Sequence, residues 1–334
     1  MKKGLLLVNI GTPESPEPSA VRQYLREFLS DKRVINLPTV LRYLLLYGII
    51  LPLRPKRSAE AYQAIWTENG SPLLLHCEDL VSELQARLSD VKVVLGMRYG
   101  QPNLEAALSE LTDCEHITVL PLYPQYSSAA TGSSLEKILR LVHRKSIIPS
   151  LTIIRDFHQH PAFINAQAEL IKPYIQDQDM ILFSYHGVPQ NHLLIGPCKS
   201  ICNRTCSNDS PQNPGCYRSQ CLRTSAALAS KLGLSTHSYL TSFQSRLGKT
   251  RWIEPYTDKI LEDLAEKGVK RLVVACPSFV ADCLETLEEI GIRAQEQWQK
   301  LGGETFTLIP CLNAHEAWVD AILEITQLSS PKNA

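Results

Sequence analysis

Eight short apolar runs alternate with stretches of helical periodicity along almost the whole chain, and that alternation leaves few folds open. The runs are Gly4 to Asn9, Lys92 to Met97, Ile117 to Leu122, Leu151 to Arg155, Met180 to Ser184, Ser238 to Ser242, Arg271 to Ala275 and Phe306 to Pro310. They are rich in Val, Ile and Leu without strict apolar–polar alternation, as expected of strands covered on both faces. Helical patterns occupy most of the intervals, for example Ser19 to Leu29, Leu73 to Leu88, Arg218 to Leu232 and Leu284 to Gln299. Such alternation gives parallel sheets flanked by helices. The chain therefore reads as α/β, with two doubly wound, Rossmann-like domains and an interdomain cleft. A length of 334 residues suits two domains. The strands divide evenly about residue 150, giving domains 1–150 and 151–334. No repeat at solenoid periods is present, and no G-x-G-x-x-G follows a strand, so a dinucleotide site is unsupported.

Charge narrows the function. Lys plus Arg equals Asp plus Glu at 34 each, which argues against a nucleic-acid binder that depends on a broad basic field. Lys2 and Lys3 precede Leu5 to Ile10, but that run is too short for a secretory core and reads as the first strand. A cytoplasmic protein is expected, with peripheral contact at the membrane face as an option. The segment 37–53 is the most apolar stretch, interrupted by Pro38, Arg42 and Pro52. It reads as a buried helix, as an apolar lip touching a membrane surface, or as a short spanning helix.

Two strand ends carry chemistry. Met180-Ile181-Leu182-Phe183 closes on Ser184-Tyr185-His186-Gly187-Val188-Pro189, and Leu272-Val273-Val274-Ala275 leads to Asp282-Cys283-Leu284-Glu285-Thr286-Leu287-Glu288-Glu289. In open α/β sheets, ligands bind at the carboxyl ends of strands. On an α-helix, Asp282, Glu285 and Glu289 would fall within roughly 60° of one another. Such a face suits a divalent cation or a proton relay, although acidic residues at a helix start also complement its dipole and can simply face water. His186, in an irregular strand exit, can ligate a transition metal or accept a proton near neutral pH, or can be a hydrogen-bonded core residue. His158, His160 and His315 read as surface or capping residues.

Ten cysteines without an export signal favour metal binding over disulfides. Five lie between Cys198 and Cys221, in the segment 197–221, and their spacing lacks the C-x2-C pairs of zinc ribbons. A metal cluster, structural zinc and redox-active thiols all fit. Cys276 and Cys311 read as small buried hydrophobes.

Further segments give these features a family. Val8-Asn9-Ile10-Gly11-Thr12-Pro13-Glu14, Arg22 through Pro38, Gly70-Ser71-Pro72-Leu73, Pro121 to Ser127 with Thr131-Gly132-Ser133-Ser134, Phe243-Gln244-Ser245-Arg246 and Trp252-Ile253-Glu254-Pro255 occur in the order found in ferrochelatases. With the two strand-end segments, the chain resembles that family along nearly its whole length.

The resemblance implies chelatase-type domains with a macrocycle between them, and a lyase that inserts Fe²⁺ into protoporphyrin IX in the final step of haem biosynthesis. It implies His186 and Glu285 as the site pair that handles the Fe²⁺ substrate, with Glu289 and Asp282 as the accompanying acidic path. Ile10, Tyr126, Ser127 and Ser133 would line the porphyrin pocket. Some bacterial members carry a [2Fe-2S] cluster in an internal insertion, which implies Cys198, Cys202, Cys206 and Cys216 as ligands here. The alternatives are a coproporphyrin or other-metal chelatase, and a non-catalytic porphyrin or haem carrier. Oligomeric state is left open.

Overall fold

In the computed structural model, residues 2–193, 215–246, 248 and 250–328 are described. All eight expected strands form, with ends shifted by no more than two residues. They are β1 (Lys3–Asn9), β2 (Val91–Met97), β3 (His116–Pro121), β4 (Ser150–Ile153), β5 (Met180–His186), β6 (Tyr239–Gln244), β7 (Arg271–Ala275) and β8 (Thr305–Leu308). The chain divides into two compact units. One comprises the described residues of Met1–Tyr123, Ser127–Asp156 and Leu323–Ala334, and the other Pro124–Tyr126 and those of Phe157–Ile322.

Each unit holds one parallel four-stranded sheet, ordered β2-β1-β3-β4 in the first and β6-β5-β7-β8 in the second. The two orders are the same when counted from the first strand of each unit. Leu5, Leu6, Leu7 and Val8 are all fully buried, so β1 is covered on both faces. That is why its sequence is a continuous apolar run. One face of the first sheet packs Leu6, Val8, Val94 and Val119 against Leu104, Leu108, Ile138 and Val142 of two helices. In the second unit Leu182, Leu272 and Val274 pack against Leu261, Leu264, Ile290 and Trp298.

Both sheets reverse direction in the same place. From β1 the chain steps to β2 on one side and then crosses to β3 on the other; from β5 it steps to β6 and then crosses to β7. The gaps between β1 and β3, and between β5 and β7, are therefore the topological switch points, where loops diverge and ligands bind. Residues 9–12 leave β1 in this way. Gly11 has φ +103°, and a Cβ there would lie 1.7 Å from the Tyr99 carbonyl oxygen, so only glycine fits.

The stretch 37–53 is neither a buried helix nor a span. It forms helices Thr39–Leu45 and Leu51–Gln63 joined by a π-helical turn, Leu46–Ile50. Leu46 and Leu51 pack with Leu29 in a small core, but Val40, Leu41, Leu44, Ile49 and Leu53 are each more than half exposed. Among the described residues no helix is long and apolar enough to cross a membrane.

Candidate active site

His186 is the last residue of β5, paired in register with Gln244, the last of β6. Its backbone is fixed from two directions. The N–H donates to Ser278 Oγ (3.0 Å), in the loop after β7, and the carbonyl accepts from the Tyr217 hydroxyl (2.8 Å). Burial pushes the Tyr217 hydroxyl well above its ordinary pKa, so it stays a donor. The His186 ring is partly exposed, edged by Trp252 and Phe279 at centroid distances of 6.3 and 6.2 Å. Nδ1 lies 2.5 Å from the Gly187 carbonyl oxygen. A carbonyl can only accept, so this contact assigns the hydrogen to Nδ1 and leaves Nε2 with its lone pair in the neutral ring. Gly187 leaves room for none but itself: a Cβ would stand 2.7 Å from Gln244 O.

The acidic segment after β7 differs from its sequence reading. Glu285–Ala294 is a π-helix, followed by an α-helical turn, Gln295–Lys300. The Arg293 guanidinium grips Glu288, five residues back, at 2.8 and 2.9 Å, the spacing that stacks in an i→i+5 helix. Glu285 and Glu289, four apart, still fall on nearly one side and are partly exposed. Gln244 Nε2 donates to the Glu285 carbonyl (2.8 Å), and Gln244 Oε1 accepts from Ser184 Oγ (2.8 Å). Ser245 takes φ +66° and gives both its N–H (2.8 Å) and its hydroxyl (2.5 Å) to the Glu289 carboxylate. The ends of β5 and β6 thus carry the acidic helix, and His186 and Glu285 share the carboxyl edge of one sheet at its switch point.

Asp282 does not join that acidic face. It precedes the π-helix and is only 4% exposed. Its carboxylate accepts from the Cys311 N–H, the Asn313 side-chain amide and the Thr286 hydroxyl, at 3.2, 2.8 and 3.1 Å. These bonds tie the exits of β7 and β8 together, so Asp282 is a brace and not an open step in an acidic path. The expectation of three carboxylates on one α-helical stripe fails because the helix starts later and is wound differently.

The neighbouring thiols are enclosed. Cys276, Cys283 and Cys311 are buried, and burial first, then nearby carboxylates, pushes each thiol far above its ordinary value. Cys276 and Cys311 therefore pack as small hydrophobes, as expected. Of the expected cluster ligands, Cys198, Cys202 and Cys206 lie outside the described residues. Cys216 is partly exposed and immediately precedes the helix Tyr217–Leu232. Among the described residues no group of three or more His, Cys, Asp or Glu side chains is placed to hold a metal ion. His160 and His315 cap helices through Nδ1, accepting from the N–H two residues on. His158 is buried instead of lying at the surface, its carbonyl receiving the Thr224 hydroxyl.

Of the residues expected at the porphyrin, Ile10 follows β1, Tyr126 and Ser127 follow β3, and Ser133 opens a helix. Ile10 follows β1 directly and is partly exposed. Ser127 begins a π-helical turn, Ser128–Gly132, with its Oγ accepting from Ala130 N–H. Ser133 is buried beneath that turn, its hydroxyl donating to Asp31 (2.6 Å). Tyr126, in the second unit, is fixed by its N–H donating to Gln220 Oε1 (2.6 Å). Sequence reasoning quoted Gln244 and Ser245 without giving them a role and passed over Asp31, Arg98 and Tyr99. Arg98 and Tyr99 directly follow β2, and that position was the one available signal.

The family profile described as Ferrochelatase matches residues 2–329. The chain belongs to the ferrochelatase family. It is 59% identical over 326 residues to a ferrochelatase of Legionella pneumophila, covering 97% of this chain and 98% of that one. It is 50% identical over 336 residues to a ferrochelatase of Coxiella burnetii, covering 98% and 94%. Among solved structures, SirB from Bacillus subtilis with Fe3+ aligns with a TM-score of 0.57 at 12% identity, covering 99% of this chain and 96% of that one. That likeness concerns the fold, which is chelatase-type.

Replacing Asp282 by Ala strands three donors in a buried site. Unfolding in urea should show a loss of about 3 kcal/mol, whereas Glu285→Ala should change stability by less than about 1 kcal/mol.

Proposed function

We propose that this chain, an enzyme of the lyase class, inserts Fe²⁺ into protoporphyrin IX as the closing step of haem formation. The observation that carries the assignment of roles is the His186 imidazole. Its Nδ1 is committed to the Gly187 carbonyl, which leaves Nε2 as an acceptor at the end of β5, next to a switch point.

The chemistry asks for such a pair. A free-base porphyrin has two pyrrole N–H bonds. Inserting Fe²⁺ breaks both, forms four Fe–N bonds and releases two protons, so the charge of the ring core is conserved. Nε2 of His186 takes a pyrrole proton as general base. Glu285, partly exposed and free of the bracing duty that occupies Asp282, ligates the incoming ferrous ion or carries a proton outward. Glu289, held by Ser245, keeps a second negative charge near that route. Ile10 and the Ser127 turn face the macrocycle, and binding energy from the rest of the ring offsets the strain of bending it to expose nitrogen lone pairs. A chelatase for coproporphyrin would use the same pair, and the peripheral groups of the ring would decide between the two.

A resident [2Fe-2S] cluster fits what is described of the cysteine segment. Cys216 stands at a helix N-terminus, where backbone N–H groups favour a thiolate. Cys221, one turn further in, is fully buried and lies outside the ligand set that the family resemblance implies. Cys198, Cys202, Cys206 and Cys216 would hold the cluster, which supplies a one-electron centre. The exposed side chains of Val40, Leu41, Leu44, Ile49 and Leu53 fit an apolar lip resting on a lipid surface, a peripheral contact on the cytoplasmic face.

Three outcomes test these readings. His186→Ala should lower anaerobic Fe²⁺ insertion, followed by loss of protoporphyrin fluorescence, by about 10³-fold, with circular dichroism unchanged; a folded, active variant refutes the assignment, and wild-type protein that binds the ring without metallating it is a carrier. Anaerobically purified protein should contain about two iron and two acid-labile sulfide per chain; zinc without sulfide would replace the cluster by a structural zinc site. The protein should float with anionic liposomes and Leu41→Asp/Leu44→Asp should sink; equal recovery of both in the pellet would remove the lip from the mechanism.

A further inference from the structure

The first unit has its own partly buried carboxylate hub, built from three chain segments. Asp31 follows the helix Pro18–Ser30. Its Oδ2 accepts from Arg98 Nη2 (2.6 Å), the Tyr99 hydroxyl (3.0 Å) and the Ser133 hydroxyl (2.6 Å), and its Oδ1 accepts from the Arg33 N–H (2.8 Å). Arg98 Nε completes the ring of bonds by donating to Ser133 Oγ (2.7 Å) and Ser133 O (3.2 Å). The guanidinium lies 4.4 Å from the centroid of the Tyr99 ring. Arg33 adds a second clamp, from Nη1 to Ser128 Oγ (2.9 Å) and from Nε to Glu136 (2.6 Å). Side-chain exposure is 10% for Asp31 and 15% for Arg98, so the pair is shielded from screening.

The bonds of Ser133 with Asp31 and Arg98, and of Arg33 with Ser128 and Glu136, reach the turn Ser128–Gly132 or the helix start beneath it, in the segment that follows β3. The turn is π-helical, with small side chains, and has little apolar packing of its own to fix it. We propose that Asp31 is a positioning residue for porphyrin binding: it holds the Ser128–Gly132 turn, through Ser133 and Arg98, in the shape that receives the macrocycle. The inference rests on the reading that this turn faces the ring. Burial alone would raise the Asp31 carboxyl; the bonds from Ser133, Arg33, Arg98 and Tyr99 outweigh it and hold the group below its ordinary value, so the hub stays charged at neutral pH. Asp31 touches neither reacting nitrogen nor iron in this scheme. Its effect belongs to one substrate only.

The test is steady-state insertion with protoporphyrin IX and Fe²⁺ varied in turn, together with porphyrin affinity from fluorescence quenching. Asp31→Asn should raise the KM and Kd for the porphyrin about tenfold, with kcat and the KM for Fe²⁺ within about twofold of wild type. A purely structural defect would instead lower kcat through a reduced active fraction and leave both KM values in place, and that result, or an unchanged porphyrin KM in folded protein, overturns the proposal. If Asp31→Asn does not fold, Arg33→Ala decides: removal of the outer clamp should raise the porphyrin KM alone by about threefold, and equal KM values overturn the proposal. Wild-type protein that neither binds nor metallates the ring would overturn the parent reading and this one with it; normal wild-type activity with unshifted variants overturns this one alone.

Discussion

The chain changes direction once across each parallel sheet, and the residues proposed to carry the chemistry stand where the second sheet does so. Between β5 and β7 two crossovers run to opposite sides, so the loops that leave these strands part at the carboxyl edge. His186 is the last residue on one side of that gap. The segment leading to Glu285 starts on the other, and Ser278 reaches back to the His186 N–H. Moving β6 to the far side of β7 would leave every strand sequence intact and yet bury the end of β5 between continuous loops. The histidine would then be a core residue, which is the ordinary fate of such a side chain.

That edge also has to hold a π-helix, a winding rarely sustained beyond a single turn. The bonds to it come from the strand ends. Gln244 spans from the Ser184 hydroxyl to the Glu285 carbonyl, and Ser245 adopts a left-handed conformation that costs about 1 kcal/mol for a residue with a Cβ. Two hydrogen bonds to the Glu289 carboxylate, each worth about 1.5–3 kcal/mol as charge-assisted bonds, more than offset that strain. Arg293 closing on Glu288 selects the same winding from the exposed face. The helix is therefore anchored at Glu285 and Glu289 by neighbours that belong to the sheet, which sets both carboxylates by strand geometry instead of by helix propensity.

The strands were legible because burial on both faces writes itself as uninterrupted Val, Ile and Leu, and in β1 four consecutive residues are fully buried. The winding of the acidic helix was not, since carboxylates four apart share a face in either the α or the π form and nothing in the local composition separates them. The burial of Asp282 was hidden for a different reason. Its partners Cys311 and Asn313 come from the exit of β8, nearly thirty residues away, and only the order of strands brings them near. Hydropathy left the segment 37–53 open between a core helix, a surface lip and a span, because its apolar residues run round the whole helix; the fold packs Leu46, Ile50 and Leu51 and leaves Val40, Leu41 and Leu44 exposed. His186 and Glu285 were readable as a pair mainly through family resemblance, because the geometry that separates a reactive histidine from a packed one is a backbone carbonyl, that of Gly187.

The two units solve one problem with the same device. Each places an aspartate with both carboxylate oxygens bonded near its carboxyl edge: Asp31, partly buried, gathers the exit of β2 and the turn after β3, and Asp282, buried, gathers the exits of β7 and β8. A carboxylate with every lone-pair direction occupied is a poor proton acceptor and a poor ligand, since using it means first breaking bonds that hold loops in place. The reactive acid should therefore be a carboxylate whose backbone is anchored while its side chain is left open. Glu285 comes nearer to that description than Glu289: Gln244 fixes its carbonyl and its partly exposed carboxylate meets the Cys283 thiol, a weak donor, whereas both oxygens of Glu289 are engaged by Ser245. His186 is treated alike, with Ser278 and Tyr217 holding its backbone while Nδ1 engages the Gly187 carbonyl and Nε2 keeps its lone pair. Reaction at these two positions then requires no rearrangement of the bonds that define the edge.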